Sequence, residues 1–178
     1  MNKLKIKPHL QGTLSKLCGI LSVINSTRLV IHPAVFKAHL YSRCIKALVR
    51  YKGSCDFIGR GTEPEDLEYL LKNIICKEYP IRYSKPFYKR SNVFLDEYWR
   101  TVKTFLDGPN TAIIILFETS YFGHFTVVYK ADFQRFFLFD SAHTKNLLRK
   151  KCTTRRLSIT RTRLITPEMT FFLQPHNK

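Results

Sequence analysis

Cys18 is the residue of this chain that is best placed for covalent chemistry. Apolar residues recur at helical spacing from Leu17 to Ile24 and predict a buried helix that ends near residues 25–27. Cys18 falls in the first turn, where free N–H groups and the positive end of the helix dipole favour a thiolate. Cys18 is therefore a candidate nucleophile. The alternative is a small apolar residue that only begins a helix.

His124 and Asp140 are the candidate partners of such a thiolate. They flank two runs that alternate like β-strands, and residues 131–133 form the predicted turn between them. A hairpin symmetric about that turn places His124 opposite Asp140, and Thr126 opposite Leu138. Opposed Cβ atoms lie roughly 4.5–5.5 Å apart, so the carboxylate can orient the imidazole. A one-residue slip would put the two side chains on opposite faces. Taken singly, they read as a strand-end histidine and a turn aspartate.

Gln11 is the candidate for the remaining task, which is to stabilise an oxyanion. It stands seven residues before Cys18, and its side-chain amide can act beside the backbone N–H of Cys18. The other reading is an ordinary loop residue. No metal or other cofactor is predicted, because none of the five cysteines falls in a C-x-x-C pair or at a zinc-site spacing from histidine. We expect free thiols in a reducing compartment.

The order of predicted elements is helices first and strands later. We expect one α+β domain over residues 1–178, with an extended arm at 1–9 and the helices packed on one side of a mostly antiparallel sheet. Thr62 and Glu65 predict a capping box. The remaining predicted helices begin at Pro33, run from about 64 to 78, and run from about 92 to 107; strands are predicted at 111–118, 123–130, 134–140, 157–160 and 169–173.

The strongest bulk feature is a formal net charge of +17 over 178 residues. Residues 1–55 hold ten Lys or Arg and residues 141–166 hold eight, and neither segment contains Asp or Glu. Such a field attracts nucleic acid, anionic membrane surfaces or an acidic protein. Hydrophobic content of 44% excludes a disordered chain, and no apolar run is long enough for a membrane span. No signal peptide is visible, so a cytoplasmic protein is expected.

The pattern resembles the papain-like cysteine peptidases, and in particular the bacteriocin-processing (double-glycine) branch. The matching residues are Gln11, Cys18-Gly19, the run His124-Phe-Thr-Val-Val and Asp140 after Leu-Phe. The resemblance implies Cys18 as nucleophile, His124 as base, Asp140 as its orienting carboxylate and Gln11 as oxyanion donor. It also implies a papain-like fold with the nucleophile at the N-terminus of a helix. In that branch the Gln usually stands six residues before the Cys, and an Asp often precedes the Cys where this chain has Lys16-Leu17.

The expected activity is cleavage of protein substrates, after Gly-Gly if the double-glycine branch is the right guide, and the basic charge also allows a target that is acidic or associated with nucleic acid. The chain also resembles the stand-alone papain-like domains that bacteria deliver as toxins. This implies entry into the recipient cytosol through a secretion system, and an immunity protein, which would be acidic to suit the charge. Two alternatives remain. One is a deamidase or transglutaminase that uses the same thiolate. The other is a nucleic-acid-binding module, for which Tyr83, Phe87 and Tyr88 can stack on bases.

Overall fold

The computed structural model describes residues 7–10, 16–31, 39–90 and 92–176. Helices precede most of the strands, and the predicted α+β class is confirmed. The helices are α1 Cys18–Val30, α2 Leu40–Lys52, α3 Phe57–Arg60, α4 Pro64–Leu70, α5 Cys76–Glu78 and α6 Leu95–Leu106. The strands are β1 Ile81–Ser84, β2 Ala112–Glu118, β3 Gly123–Ala131, β4 Arg135–Leu138, β5 Asn146–Leu148, β6 Cys152–Thr153, β7 Arg163–Ile165 and β8 Phe171–Pro175.

All eight described strands belong to one sheet. Its main path has the order β1-β8-β2-β3-β4-β5, and each neighbouring pair on that path is antiparallel. Strand β7 pairs with the C-terminal end of β2, on the same edge of β2 that β8 pairs with. Strand β6 then pairs with β7 in parallel. This end of the sheet, where β2 finishes and β3 begins, is called the site end below.

Helices cover both faces of the sheet, so the prediction that they pack on one side is wrong. Helices α1, α2 and α4 share a hydrophobic core with Ile114 of β2, whereas α6 shares a second core with Ile113 and Ile115. Successive side chains of a strand point to opposite faces. Strand β2 is apolar at every position from Ala112 to Phe117, so it needs cover on both sides.

The helical segment from Pro64 to Glu78 has the predicted bounds, but Leu71–Ile75 form a π turn in its middle. The predicted capping box is wrong by one residue. Helix α4 follows Glu63, and the carboxylate of Asp66 accepts the backbone N–H of Glu63 at 2.9 Å. Pro64 decides this shift, because proline is favoured at the first helical position and lacks the N–H that a cap one residue earlier would have to satisfy.

Two other predictions concern the ends of the chain. Residues 157–160 form no strand; the backbone turns there with a Ser158 N–H to Arg161 carbonyl bond of 3.0 Å, and Ile159 is 97% exposed. Of the predicted arm, residues 7–10 have no regular structure, and the backbone N–H of His9 donates to Asn25 of α1 at 2.9 Å. Residues 1–6 and the predicted helix start at Pro33 lie outside the described residues.

Candidate active site

Cys18 is the first residue of α1, and its partly exposed side chain lines a cleft of about 640 Å³. Leu17 precedes it and makes no side-chain cap, so the N-cap position leaves the backbone N–H groups of the first turn without a capping side chain. These donors and the helix dipole point to the position where a negative charge on sulfur, or on a bound carbonyl oxygen, would lie. The cleft is within the size range of ligand pockets.

Gly19 allows the N-terminal turn of α1 to pack tightly beside α4. A Cβ atom at this position would lie 2.1 Å from Oγ1 of Thr62 and 2.6 Å from Cδ1 of Leu67. No side chain can be added there unless these neighbours move. The Cys-Gly dipeptide thus supplies a thiol and also lets α1 approach α4 closely. This close approach sets how deeply the thiol lies in the cleft.

His124 is the second residue of β3 and is held by Asp140. Its Nε2 lies 2.6 Å from Oδ1 of the carboxylate, and both side chains are buried. The second carboxylate oxygen accepts the backbone N–H groups of Ala142 and Thr144, each at 3.0 Å. Burial is the largest influence and opposes ionisation of Asp140, but the hydrogen bond and the charge of His124, together with further hydrogen bonds such as that from the Thr144 N–H, outweigh it, so the pKa of Asp140 lies below its ordinary value. The loop after β4 therefore keeps this carboxylate ionised and oriented.

Cys18 and His124 line the same cleft. Burial by itself lowers the pKa of His124, but hydrogen bonds with Asp140 and with the Cys18 side chain raise it to about 9. Because Nε2 is bound to Asp140, Nδ1 is the ring nitrogen left for the sulfur. The His124 ring also packs edge-on against Phe117, with ring centroids 5.5 Å apart. At neutral pH this environment favours an imidazolium beside the sulfur.

The predicted strand register is wrong by two residues, although it named the right pair. Val128 lies opposite Leu138, a β-bulge follows, and Ala131 lies opposite Phe136. The backbone bond from Phe139 N–H to the Val127 carbonyl, 2.8 Å, continues the shifted pairing. A shift by an even number of residues keeps the side chains on the same face, so Asp140 still reaches His124.

The structure brings together Cys18, His124 and Asp140, whereas Gln11 lies outside the described residues. Sequence reasoning missed Lys16, Arg60 and the backbone donors of residues 142 and 144. Lys16 was noted only as a departure from the peptidase pattern. No periodicity or motif marks Arg60, which reaches the cleft through the packing of α3.

The described residues contain no group of His, Cys, Asp and Glu arranged to hold a metal ion. Among the described helices, none is long and apolar enough to cross a membrane. The four cysteines other than Cys18 are unpaired, and burial raises the pKa of Cys44 and of Cys152 to about 12. A thiolate is therefore disfavoured at those two positions.

Comparisons of the chain with family models, with curated proteins and with solved structures found no match.

Proposed function

We propose that this protein is a cysteine peptidase of papain-like fold, with Cys18 as nucleophile, His124 as general base and acid, and Asp140 as the residue that orients His124. The observation that carries the proposal is that Cys18 and His124 line one cleft and that Nε2 of His124 lies 2.6 Å from the Asp140 carboxylate. A nucleophile, a base and an orienting group that converge on one cleft are the arrangement used for covalent acyl transfer.

The position of the three residues in the fold supports the papain-like assignment. The nucleophile begins a helix that packs on the sheet through Ile20 and Ile24, and the base begins the antiparallel strand β3. The orienting carboxylate follows β4, the next strand along the chain and in the sheet. This is the order of nucleophile, base and orienting residue that the resemblance predicts.

The reaction follows from these positions. The thiolate of Cys18 attacks the carbonyl carbon of a peptide bond, and the oxyanion faces the first-turn N–H groups of α1. His124 donates its proton to the leaving amine as the C–N bond breaks and a thioester forms. Water then attacks the thioester, His124 takes a proton from it, and the C–S bond breaks to release the carboxylate and restore the thiolate.

A comparison of the wild type with Cys18→Ala tests this function. We expect the wild type to release peptide fragments from protein substrates and to incorporate one equivalent of iodoacetamide at Cys18. The variant should lose cleavage by at least about 10⁴-fold while keeping its melting temperature. Cys55→Ala, which removes an exposed thiol elsewhere, should keep full activity. Equal cleavage by the wild type and Cys18→Ala would overturn the proposal. A mass change without chain cleavage would instead assign deamidation or transglutamination.

The biological role that we propose is that of a toxin delivered into a recipient bacterium and neutralised by an acidic immunity protein. Its support is the net charge of +17 together with the resemblance described above. Expression in a bacterial cytosol should arrest growth for the wild type and not for Cys18→Ala. Equal toxicity of the two proteins would contradict this role and leave the chemistry to be judged by the cleavage assay.

A further inference from the structure

The two walls of the cleft beside Cys18 differ in character. One wall consists of Lys16 together with residues 60–64. Residues 60–64 run from the end of α3 to the start of α4. The opposite wall includes the apolar side chains of Leu116, Phe122 and Phe125. Phe122 is 54% exposed, whereas Phe125 is 3% exposed, so Phe122 is the ring that is open to a ligand. A ligand between the walls therefore meets charge on one side and an aromatic ring on the other.

The charged wall is cationic. Lys16 and Arg60 are exposed, and neither has a carboxylate of the described residues within ion-pair distance. They lie close together, because a Cβ atom on Gly61 would be 3.7 Å from Cβ of Lys16. Glu63 is the one carboxylate among the described residues that line the cleft, and its Oε2 lies 3.2 Å from Nζ of Lys52. Lys52 also lies 3.0 Å from Oδ2 of Asp66, so Glu63 shares its cation with a second carboxylate and is partly compensated, whereas Lys16 and Arg60 have no carboxylate partner among the described residues.

Positive charge continues on the other side of His124. The guanidinium of Arg163 lies 5.9 Å from the centre of the Phe117 ring, and this ring packs against His124. Arg163 opens β7, which pairs with β2 at the site end of the sheet. Residues 141–166 contain no Asp or Glu. An anionic chain that enters the cleft therefore remains in a positive field on both sides of the nucleophile.

We propose that the cleft binds an acidic polypeptide segment, with carboxylates of the segment at Lys16 and Arg60 and a large apolar side chain against Leu116 and Phe122. This substrate class rests on the proposed peptidase function. It differs from a Gly-Gly substrate, which the sequence resemblance predicts, because a cleft of about 640 Å³ with an apolar wall has room for side chains. A polypeptide is favoured over nucleic acid because a peptide supplies both an apolar side chain for the apolar wall and a carbonyl group for the nucleophile.

Three peptides test the proposal by cleavage. They share one sequence with a central Phe and differ only in two flanking residues, which are Glu, Gln or Lys. For the wild type we expect kcat/KM of the Glu peptide to exceed that of the Gln peptide by about tenfold, since exposed ion pairs contribute modestly. In Lys16→Glu/Arg60→Glu the order should reverse in favour of the Lys peptide. Equal kcat/KM for the Glu and Gln peptides in the wild type would overturn the proposal.

A matched control separates local contact from bulk charge. Lys46→Glu/Arg50→Glu makes the same change of net charge on exposed residues of α2. This control should retain the wild-type preference for the Glu peptide. If it loses the preference as fully as the cleft variant does, the effect is long-range attraction and no site at Lys16 and Arg60 exists.

A binding experiment keeps this inference distinct from the peptidase proposal. Fluorescence anisotropy of the labelled Glu peptide with Cys18→Ala measures affinity without turnover, and Lys16→Glu/Arg60→Glu in that background should weaken it by about tenfold. A single-stranded oligonucleotide of equal charge is the second probe. Tighter binding of the oligonucleotide, weakened by the same two substitutions, would overturn the polypeptide assignment. Absence of both cleavage and Cys18 alkylation would sink the peptidase function, while anisotropy would still decide the ligand class.

Discussion

Aromatic rings stack on the face of the sheet under α6, whereas helix α1 on the other face buries polar side chains and begins at the cleft. On the α6 face, Trp99 stacks on Phe136 with ring centroids 3.6 Å apart, and Tyr98 is completely buried. Helix α1 buries Ser22 and Asn25 and begins without a side-chain cap. The packed rings under α6 stabilise the fold, while the start of α1 presents a thiol and backbone donors without an N-cap side chain at the cleft. His124, which lies opposite Phe117, belongs to the α6 face and meets Cys18 at the site end of the sheet.

The largest expected effect on stability is that of Trp99→Ala. The indole is 2% exposed, stacks on Phe136, and donates its N–H to the Asp132 carbonyl at 2.7 Å. Its loss should lower the free energy of unfolding by about 3–5 kcal/mol in urea titrations. Alkylation of Cys18 in the folded protein should keep its rate. Tyr121→Ala, at a ring that is 93% exposed, is the control and should change stability little. A large fall in alkylation rate for folded Trp99→Ala would break the division between the packed rings under α6 and the cleft.

Asp140→Asn should lower both activity and stability near neutral pH. Without the carboxylate the pKa of His124 falls, and cleavage should drop on the order of 10²-fold. The variant also alters pH dependence. Because the folded pKa of His124 is about 9 and its ordinary value is 6.5, the stabilisation is complete below about pH 6.5 and is lost as the pH rises through about 9. Urea titrations at both ends of this pH range measure the free energy of unfolding, which should fall less from low to high pH in Asp140→Asn than in the wild type. An identical fall in the two proteins would refute the coupling between His124 and Asp140.

Gly19→Ala probes how closely α1 packs at the cleft. The added methyl group would lie 2.1 Å from Oγ1 of Thr62, so we expect a loss of about 1–3 kcal/mol and a displaced Cys18. Thr62→Ala in the same chain should restore part of the stability, which a double-mutant cycle measures. Gly59→Ala is the matched control, because no atom lies within 4 Å of its added Cβ. Equal effects at Gly19 and Gly59 would show that close packing at α1 is unimportant.

Tyr98→Phe is the smallest change that sharpens the comparison. It removes a buried hydroxyl that lies 2.9 Å from Oγ1 of Thr170, which joins α6 to the residue before β8. The expected cost is about 1–2 kcal/mol, with unchanged cleavage of peptides. Tyr88→Phe, at a ring that is 56% exposed, should be neutral. A loss of cleavage in Tyr98→Phe without a loss of stability would assign the packed rings under α6 a role in the chemistry.

Much of the fold is readable from the sequence, because local patterns set the helices and strands. The 3.6-residue repeat of α1 and the alternation of β3 both depend on neighbours in sequence. The prediction that the helices pack on one side of the sheet is wrong because β2 is a continuous apolar run, and such a strand needs cover on both faces. The false strand at residues 157–160 failed because the Ser158 turn satisfies its backbone locally. Both errors concern the position of a segment relative to the rest of the folded protein, and the periodicity of a sequence does not encode that position.

For the candidate site, residue types and spacing were enough to select Cys18, His124 and Asp140. The predicted contact between His124 and Asp140 is present although the predicted strand register is wrong, because the register differs by an even number of residues and both side chains stay on one face. The cationic wall was not predictable, since Lys16 and Arg60 are 44 positions apart and meet only through the close approach at Gly61.

The sequence by itself determined the element types, the charge and the identity of the candidate nucleophile, base and orienting carboxylate. These properties follow from residue chemistry and from repeats of two or 3.6 residues. Only the tertiary structure decided the depth of Cys18 in its cleft, the raised pKa of His124 and the contrast between the cleft walls. Each of these depends on contacts between segments far apart in the chain, where burial and charge are set by neighbours that the local sequence does not specify.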